Sequence, residues 1–184
     1  MNESLLAGRY AKALLAYAEE VGEADVLYPI MKRLSGLLRP TATLRGVLDN
    51  PTLASSVRER VVLALAGEAL PESLRRFVDL VFSHNRESLV DEMARAYVRL
   101  YRRHRGVTYA RVVAARELDD ATRGRLVELL RQRYGGEVEL DEEVDEQLLG
   151  GFILKVDGKE MDGSVRGQIE RIRNVFISRN RSIV

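Results

Sequence analysis

At 184 residues, 46% apolar and 31% charged, the chain is long enough for one large domain or two small ones with a modest core. Net charge is +1: residues 1–105 hold 16 basic and 13 acidic side chains and residues 106–184 hold 13 and 15, so neither half has the basic bias of a nucleic-acid binder. Without cysteine there is no disulfide or thiolate metal site, and the longest apolar run, Val61 to Ala66, is far short of the roughly 18 residues of a membrane span.

Up to about residue 105 the pattern is helical. The first helix, about Ser4 to Val21, sets Leu6, Tyr10, Ala13, Leu14, Tyr17 and Val21 on one stripe and Ala7, Ala11, Leu15 and Ala18 on a second. Together they span an arc of roughly 200°, twice what a one-sided surface helix needs. Arg9, Lys12, Glu19 and Glu20 fill the polar wedge. A second helix runs from Glu23 to Leu38 and stops before Pro40. A short third lies around Leu44 to Leu48, closed by Asn50-Pro51. Ala54 to Ala66 is a fourth, ended by Gly67; Pro71 suits the first turn of a fifth reaching Ser83. In the fifth helix Leu74, Phe77, Val78, Leu80, Val81 and Phe82 again cover roughly 200°. Arg86 to His104 makes a sixth, with Leu89, Met93, Tyr97, Leu100 and Tyr101 inward and Gly106 as its stop.

At Gly106 the period changes. Val107 to Ala115 is rich in β-branched residues and reads as a strand with Tyr109, Arg111 and Val113 on one face. Asp119 to Tyr134 is a helix ended by Gly135-Gly136, and Val138 and Leu140 mark another strand. Phe152 to Val156 pairs with Lys159 to Met161 across Asp157-Gly158, a hairpin signal, and Ser164 caps a last helix carrying Val165, Ile169, Ile172 and Phe176. The expected architecture is α+β: an all-helical domain over residues 1–105, then a small β-α-β-β-α domain over residues 106–184.

Little in this sequence points to catalysis or ligand chemistry. His84 and His104 lie far apart without metal-ligand spacing and read as helix-end polar residues. Asp141, Glu142, Glu143, Asp145 and Glu146 read as a solvated connecting loop rather than a carboxylate pair held in a pocket. Gly150-Gly151 and the stretch Asp162-Gly163-Ser164-Val165-Arg166-Gly167 match no phosphate loop, and their GxxxG spacing misses the GxxG loop of RNA-binding KH modules. A turn that needs glycine's backbone freedom accounts for them. No cofactor is expected. The wide apolar arcs of the first and fifth helices have two readings: central helices of a bundle, or the walls of an external groove for a partner helix.

The segment GGFILKVDGKEMDGSVRGQIERIR, Gly150 to Arg173, closely resembles the C-terminal signature of the delta subunit family of F-type ATP synthases, whose mitochondrial counterpart is the oligomycin sensitivity-conferring protein. Weaker matches are Arg9-Tyr10-Ala11-Lys12-Ala13-Leu14, Asn50-Pro51, Asn85-Arg86, Val144-Asp145 and Leu148. Departures are Val112-Val113-Ala114-Ala115, without the hydroxyl residue often found there, and His84-Asn85-Arg86, without a glycine between the last two.

The resemblance implies a non-catalytic stator adaptor that keeps the catalytic head from turning with the rotor. It implies an N-terminal six-helix bundle whose first and fifth helices take the N-terminal helix of one alpha subunit, with Tyr10, Ala13, Leu14, Phe77 and Leu80 as candidate surface residues and Lys12 and Glu19 at the rim. The C-terminal domain then meets the C-terminal end of the peripheral-stalk b subunit. There Gly150, Gly151, Asp162, Gly163, Ser164 and Arg166 match the family motif, mostly to shape a turn and cap a helix. No nucleic acid and no direct membrane insertion are expected, and the complex places the chain at the cytoplasmic face of the bacterial membrane. The rival readings are a nucleic-acid-binding α+β module, which heparin retention would reveal, and a small enzyme with a carboxylate site, which a ligand-induced melting shift would reveal.

Overall fold

The structure, a computed structural model, describes residues 3–50, 52–156 and 158–169. The chain divides into two compact units, Met1–His104 and Arg105–Val184. Pro51 and Asp157 of the two expected turns, and Ile172, Arg173 and Phe176 near the C-terminus, lie outside the described residues.

The first unit is helical: α1 (Glu3–Glu20), α2 (Ala24–Leu38), α3 (Ala42–Asp49), α4 (Ser55–Ala66), α5 (Glu72–Ser83) and α6 (Val90–Arg105). The start of the expected sixth helix is instead a separate 3-10 turn, Glu87–Leu89. One core runs through all six helices, with Ala11, Leu27, Leu48, Val62, Leu74 and Met93 each contributed by a different one. The helix stops are chemical. Gly22 adopts φ 74° at the end of α1, where Glu23 N–H donates to Ala18 O at 2.7 Å and Gly22 N–H to Glu19 O at 3.2 Å. This left-handed stop satisfies carbonyls the helix would otherwise leave open. Asn85 repeats it after α5 at φ 52°, with Arg86 N–H on Val81 O at 3.0 Å and Asn85 N–H on Phe82 O at 3.1 Å. Asparagine tolerates that conformation better than most residues, so the turn closes without a glycine after Asn85.

One charged pair sits inside this unit. The buried Glu87 carboxylate accepts from the Arg58 guanidinium of α4, which also donates to Leu48 O at the end of α3 (3.3 Å). The pair thus ties two helices to the turn that precedes α6. Removing one charge strands the other in a site shielded from water. Glu87→Gln keeps the shape and an acceptor but loses the charge, so chemical denaturation should show a loss of about 2 kcal/mol. An unchanged midpoint would mean that water reaches Arg58 freely.

The second unit holds β1 (Thr108–Ala114), α7 (Asp120–Tyr134), β2 (Val138–Val144), β3 (Phe152–Val156) and β4 (Lys159–Asp162), followed by a helical turn at residues 165–169. Its sheet has the order β2-β1-β3-β4; β2 is parallel to β1, and β3 and β4 are antiparallel to their neighbours. A parallel pair needs a crossover, and α7 supplies it, capped by Asp119, whose carboxylate accepts from Thr122 N–H at 2.6 Å.

Two expectations need correction. The shorthand β-α-β-β-α omits one strand: the expected hairpin of Phe152–Val156 and Lys159–Met161 forms as β3 and β4, which with β1 and β2 makes four strands. The acidic run is also not a loop: Asp141, Glu142 and Glu143 belong to β2. Charge alone disfavours a strand there, but each carboxylate has a partner from elsewhere in the chain. Tyr109 hydroxyl donates to Asp141 at 2.9 Å, Arg111 of β1 pairs with Glu143, and Arg123 of α7 pairs with Glu142. The core is one-sided: Ala110, Val112, Leu154 and Val156 of the sheet pack with Leu130 of α7.

Candidate functional site

The first unit opens a groove of about 460 Å³ between α1 and α5, lined by Arg9, Tyr10, Ala13, Leu14, Tyr17, Ser73, Arg76, Phe77 and Leu80. All five candidate surface residues, Tyr10, Ala13, Leu14, Phe77 and Leu80, thus meet in one concavity. They play different parts. Leu14 (4% exposed) and Phe77 (6%) form a floor that also belongs to the core, whereas Leu80 (46%) stands open on the wall. Ala13 is exposed and Tyr10 is half-buried. The alanine lowers the α1 wall so that a second backbone can approach, and the aromatic rings give the floor area.

The rim differs from expectation. Lys12 and Glu19 do not line the groove, and Glu19 instead pairs with His104 of α6 at 2.7 Å. The lining charges are Arg9 and Arg76. Arg76 is braced by Glu72 at 2.9 Å and lies over the Tyr17 ring, 5.7 Å from its centre. The other histidine, His84, stays at the end of α5, its Nδ1 2.9 Å from Leu80 O.

A carboxylate fixes the mutual position of the groove walls. Glu23, just beyond α1, accepts from the N–H of Ser73 at 2.8 Å and of Glu72 at 3.3 Å, capping α5 from another element. The nearby side chain of Ser73 and the hydrogen bond from its N–H hold the Glu23 carboxyl below its ordinary value of 4.5. A depressed carboxyl pKa stabilises the fold above the unfolded value, and that contribution is lost as pH falls through the folded one. Glu23→Ala should therefore melt below the wild type at pH 7, and the two melting curves should converge on acidification below about pH 4.5. Equal melting temperatures at neutral pH would dismiss this cap.

The family-motif residues of the second unit build a backbone junction. Gly151 has φ 75°, and a Cβ there would lie 2.4 Å from Gly163 O. Val165 N–H donates to Gly150 O, and Gly163 N–H to Phe152 O, both at 3.0 Å. Asp162 Oδ1 accepts from the N–H and the hydroxyl of Ser164 at 2.8 and 2.7 Å, and Ser164 Oγ accepts from Gly167 N–H at 3.0 Å. A Cβ on Gly167 would strike the Asp162 carboxylate. Ser164 is buried, whereas Arg166 is exposed. The motif therefore lashes the start of β3 to the end of β4 and caps the following turn.

A second concavity, of about 640 Å³, lies beside it and could not be read from the sequence. Among the described residues α7 covers only part of the sheet face, leaving Phe152 and Met161 of the β3–β4 hairpin open beside Leu129, with Leu126 and buried Leu154 beneath. Leu129 is 63% and Met161 58% exposed, an apolar surface without a cover among the described residues. Among those residues no group of three or more His, Asp or Glu side chains is placed to hold a metal ion.

Comparison with known proteins covers nearly the whole chain. The family model described as ATP synthase delta (OSCP) subunit matches residues 6–176. The ATP synthase subunit delta of Phocaeicola vulgatus is 34% identical over 185 residues, covering 100% of both chains. That of Synechococcus elongatus is 36% identical over 172 residues, covering 93% of this chain and 96% of the relative. A chain in the cryo-EM structure of the Toxoplasma gondii mitochondrial ATP synthase hexamer shares the fold, with a TM-score of 0.71 over 94% of this chain and 97% of that one at 19% identity.

Proposed function

This chain belongs to the ATP synthase delta (OSCP) subunit family, and we propose that its two apolar grooves are the two ends of a stator coupling. It is a non-catalytic subunit of the peripheral stalk of a rotary ATP synthase. In our reading α1–α6 act as one six-helix bundle on the head side, and the groove between α1 and α5 receives the amphipathic N-terminal helix of one alpha subunit. The C-terminal end of the b subunit docks on the second unit, against the open face of the β3–β4 hairpin beside α7. The motif residues Gly150, Gly151, Asp162, Gly163 and Ser164 hold that face in shape.

The observation that carries this reading is the groove. A trough with Leu14 and Phe77 as floor and Leu80 and Ala13 as walls has the chemistry of a helix receptor: apolar anchors at the centre and cations at the margin. A docked helix burying on the order of 1,200–1,600 Å² makes a specific, stable contact. Among the described residues no helix is long and apolar enough to cross a membrane, and in this reading the chain reaches the cytoplasmic face through its partners. The test is a calorimetric titration of the full chain with a peptide copying the first helix of the cognate alpha subunit. One-to-one binding at micromolar affinity or tighter is expected. A folded chain that takes up no peptide would remove the head-side assignment.

A further inference from the structure

The groove between α1 and α5 is uneven in charge along its length. Its two helices run antiparallel, since Glu23 just past α1 caps the start of α5, and Tyr17 late in α1 lies under Arg76 early in α5. At that end the cation is matched: Glu72 sits 2.9 Å from Arg76, and the Glu23 carboxylate is close by. The other end, toward Tyr10 and Leu80, is lined by Arg9, an exposed cation for which no carboxylate partner occurs among the described residues.

Resting on the helix-in-groove reading above, we infer that Arg9 pairs with an Asp or Glu of the docked helix and so determines which way that helix lies. Apolar contact is non-directional, and a trough between two antiparallel helices presents much the same surface to a helix laid in either sense. Direction must come from something polar. With its carboxylate at the Arg9 end, the guest gains a charge partner. Reversed, the same carboxylate faces the end where Glu72 and Glu23 already balance Arg76, and it is repelled. Attraction at one end and repulsion at the other select one orientation, which apolar area cannot do.

The test uses the full chain and the peptide copying the first helix of the cognate alpha subunit, titrated at low and high salt. Arg9→Glu is expected to weaken binding about tenfold at low salt, with the loss shrinking as salt rises. Changing one particular peptide carboxylate to Lys should restore affinity for the Arg9→Glu chain. A nitroxide at the peptide end bearing that carboxylate should then broaden NMR signals around Tyr10 rather than around Ser73. Binding of wild type and Arg9→Glu within twofold of each other, or rescue by no single carboxylate change, overturns the role of Arg9 and leaves the groove assignment standing. Failure of the wild-type chain to bind the peptide overturns the groove assignment, and this inference with it.

Discussion

Replacing Leu80 with Asp is expected to abolish capture of the head helix while leaving the subunit folded. Leu80 is nearly half exposed in the free chain, so its substitution removes little core packing and should shift stability by no more than about 0.5 kcal/mol. In the proposed complex the same position is covered by the guest. There the change removes an apolar anchor and traps a carboxylate against a hydrophobic helix, a combined cost of about 3 kcal/mol, more than a hundredfold in affinity. Calorimetry beside a thermal melt separates the two effects. Phe77→Ala offers no such separation, because Phe77 is floor and core at once and its truncation damages both. Undiminished binding by a folded Leu80→Asp chain would place the contact elsewhere.

The second large effect is expected at Gly151. Valine there must adopt a left-handed backbone that β-branched residues avoid, and its Cβ would stand 2.4 Å from the Gly163 carbonyl oxygen. Neither atom can move cheaply, because Val165 N–H on Gly150 O and Gly163 N–H on Phe152 O hold the two segments together. Backbone strain and overpacking together should cost about 4 kcal/mol or more, a large share of the stability of a unit this size. Hydrogen exchange should show β3 and β4 losing protection while α1 to α6 keep theirs, and alpha-peptide binding should survive. Retained protection in the hairpin would show that the junction tolerates a side chain.

Much of this was legible in the sequence where the signals are local. The helices announce themselves through periodicity and stop at Gly67 and Gly106, whose positive φ needs no partner to explain it. The five groove residues came from two apolar arcs together with a family resemblance. The arcs alone left core and groove indistinguishable: a stripe at 100° per residue records which way side chains point and not whether anything covers them. Leu14 and Leu80 look alike in such a pattern, and only packing separates floor from wall. Readings failed where the decisive partner is distant in sequence. Glu142 and Glu143 look like loop until Arg123 and Arg111 are set against them, and Glu19 looks like a groove rim until His104 takes it. The face of the β3–β4 hairpin left open among the described residues was invisible because it depends on how far α7 extends across a sheet whose strand order is not the chain order.

The acidic strand β2 also bears on the life of the subunit before it joins the complex. As the outermost strand beyond β1, it leaves one side of its backbone without a neighbour in the sheet among the described residues. A freshly made copy waiting for the stalk and the head could zip onto another copy along that border, at the ordinary strand spacing of about 4.8 Å. Asp141, Glu142 and Glu143 would bring like charges together in such a union. The strand that looked too charged to be a strand thereby makes edge-to-edge pairing between copies unfavourable.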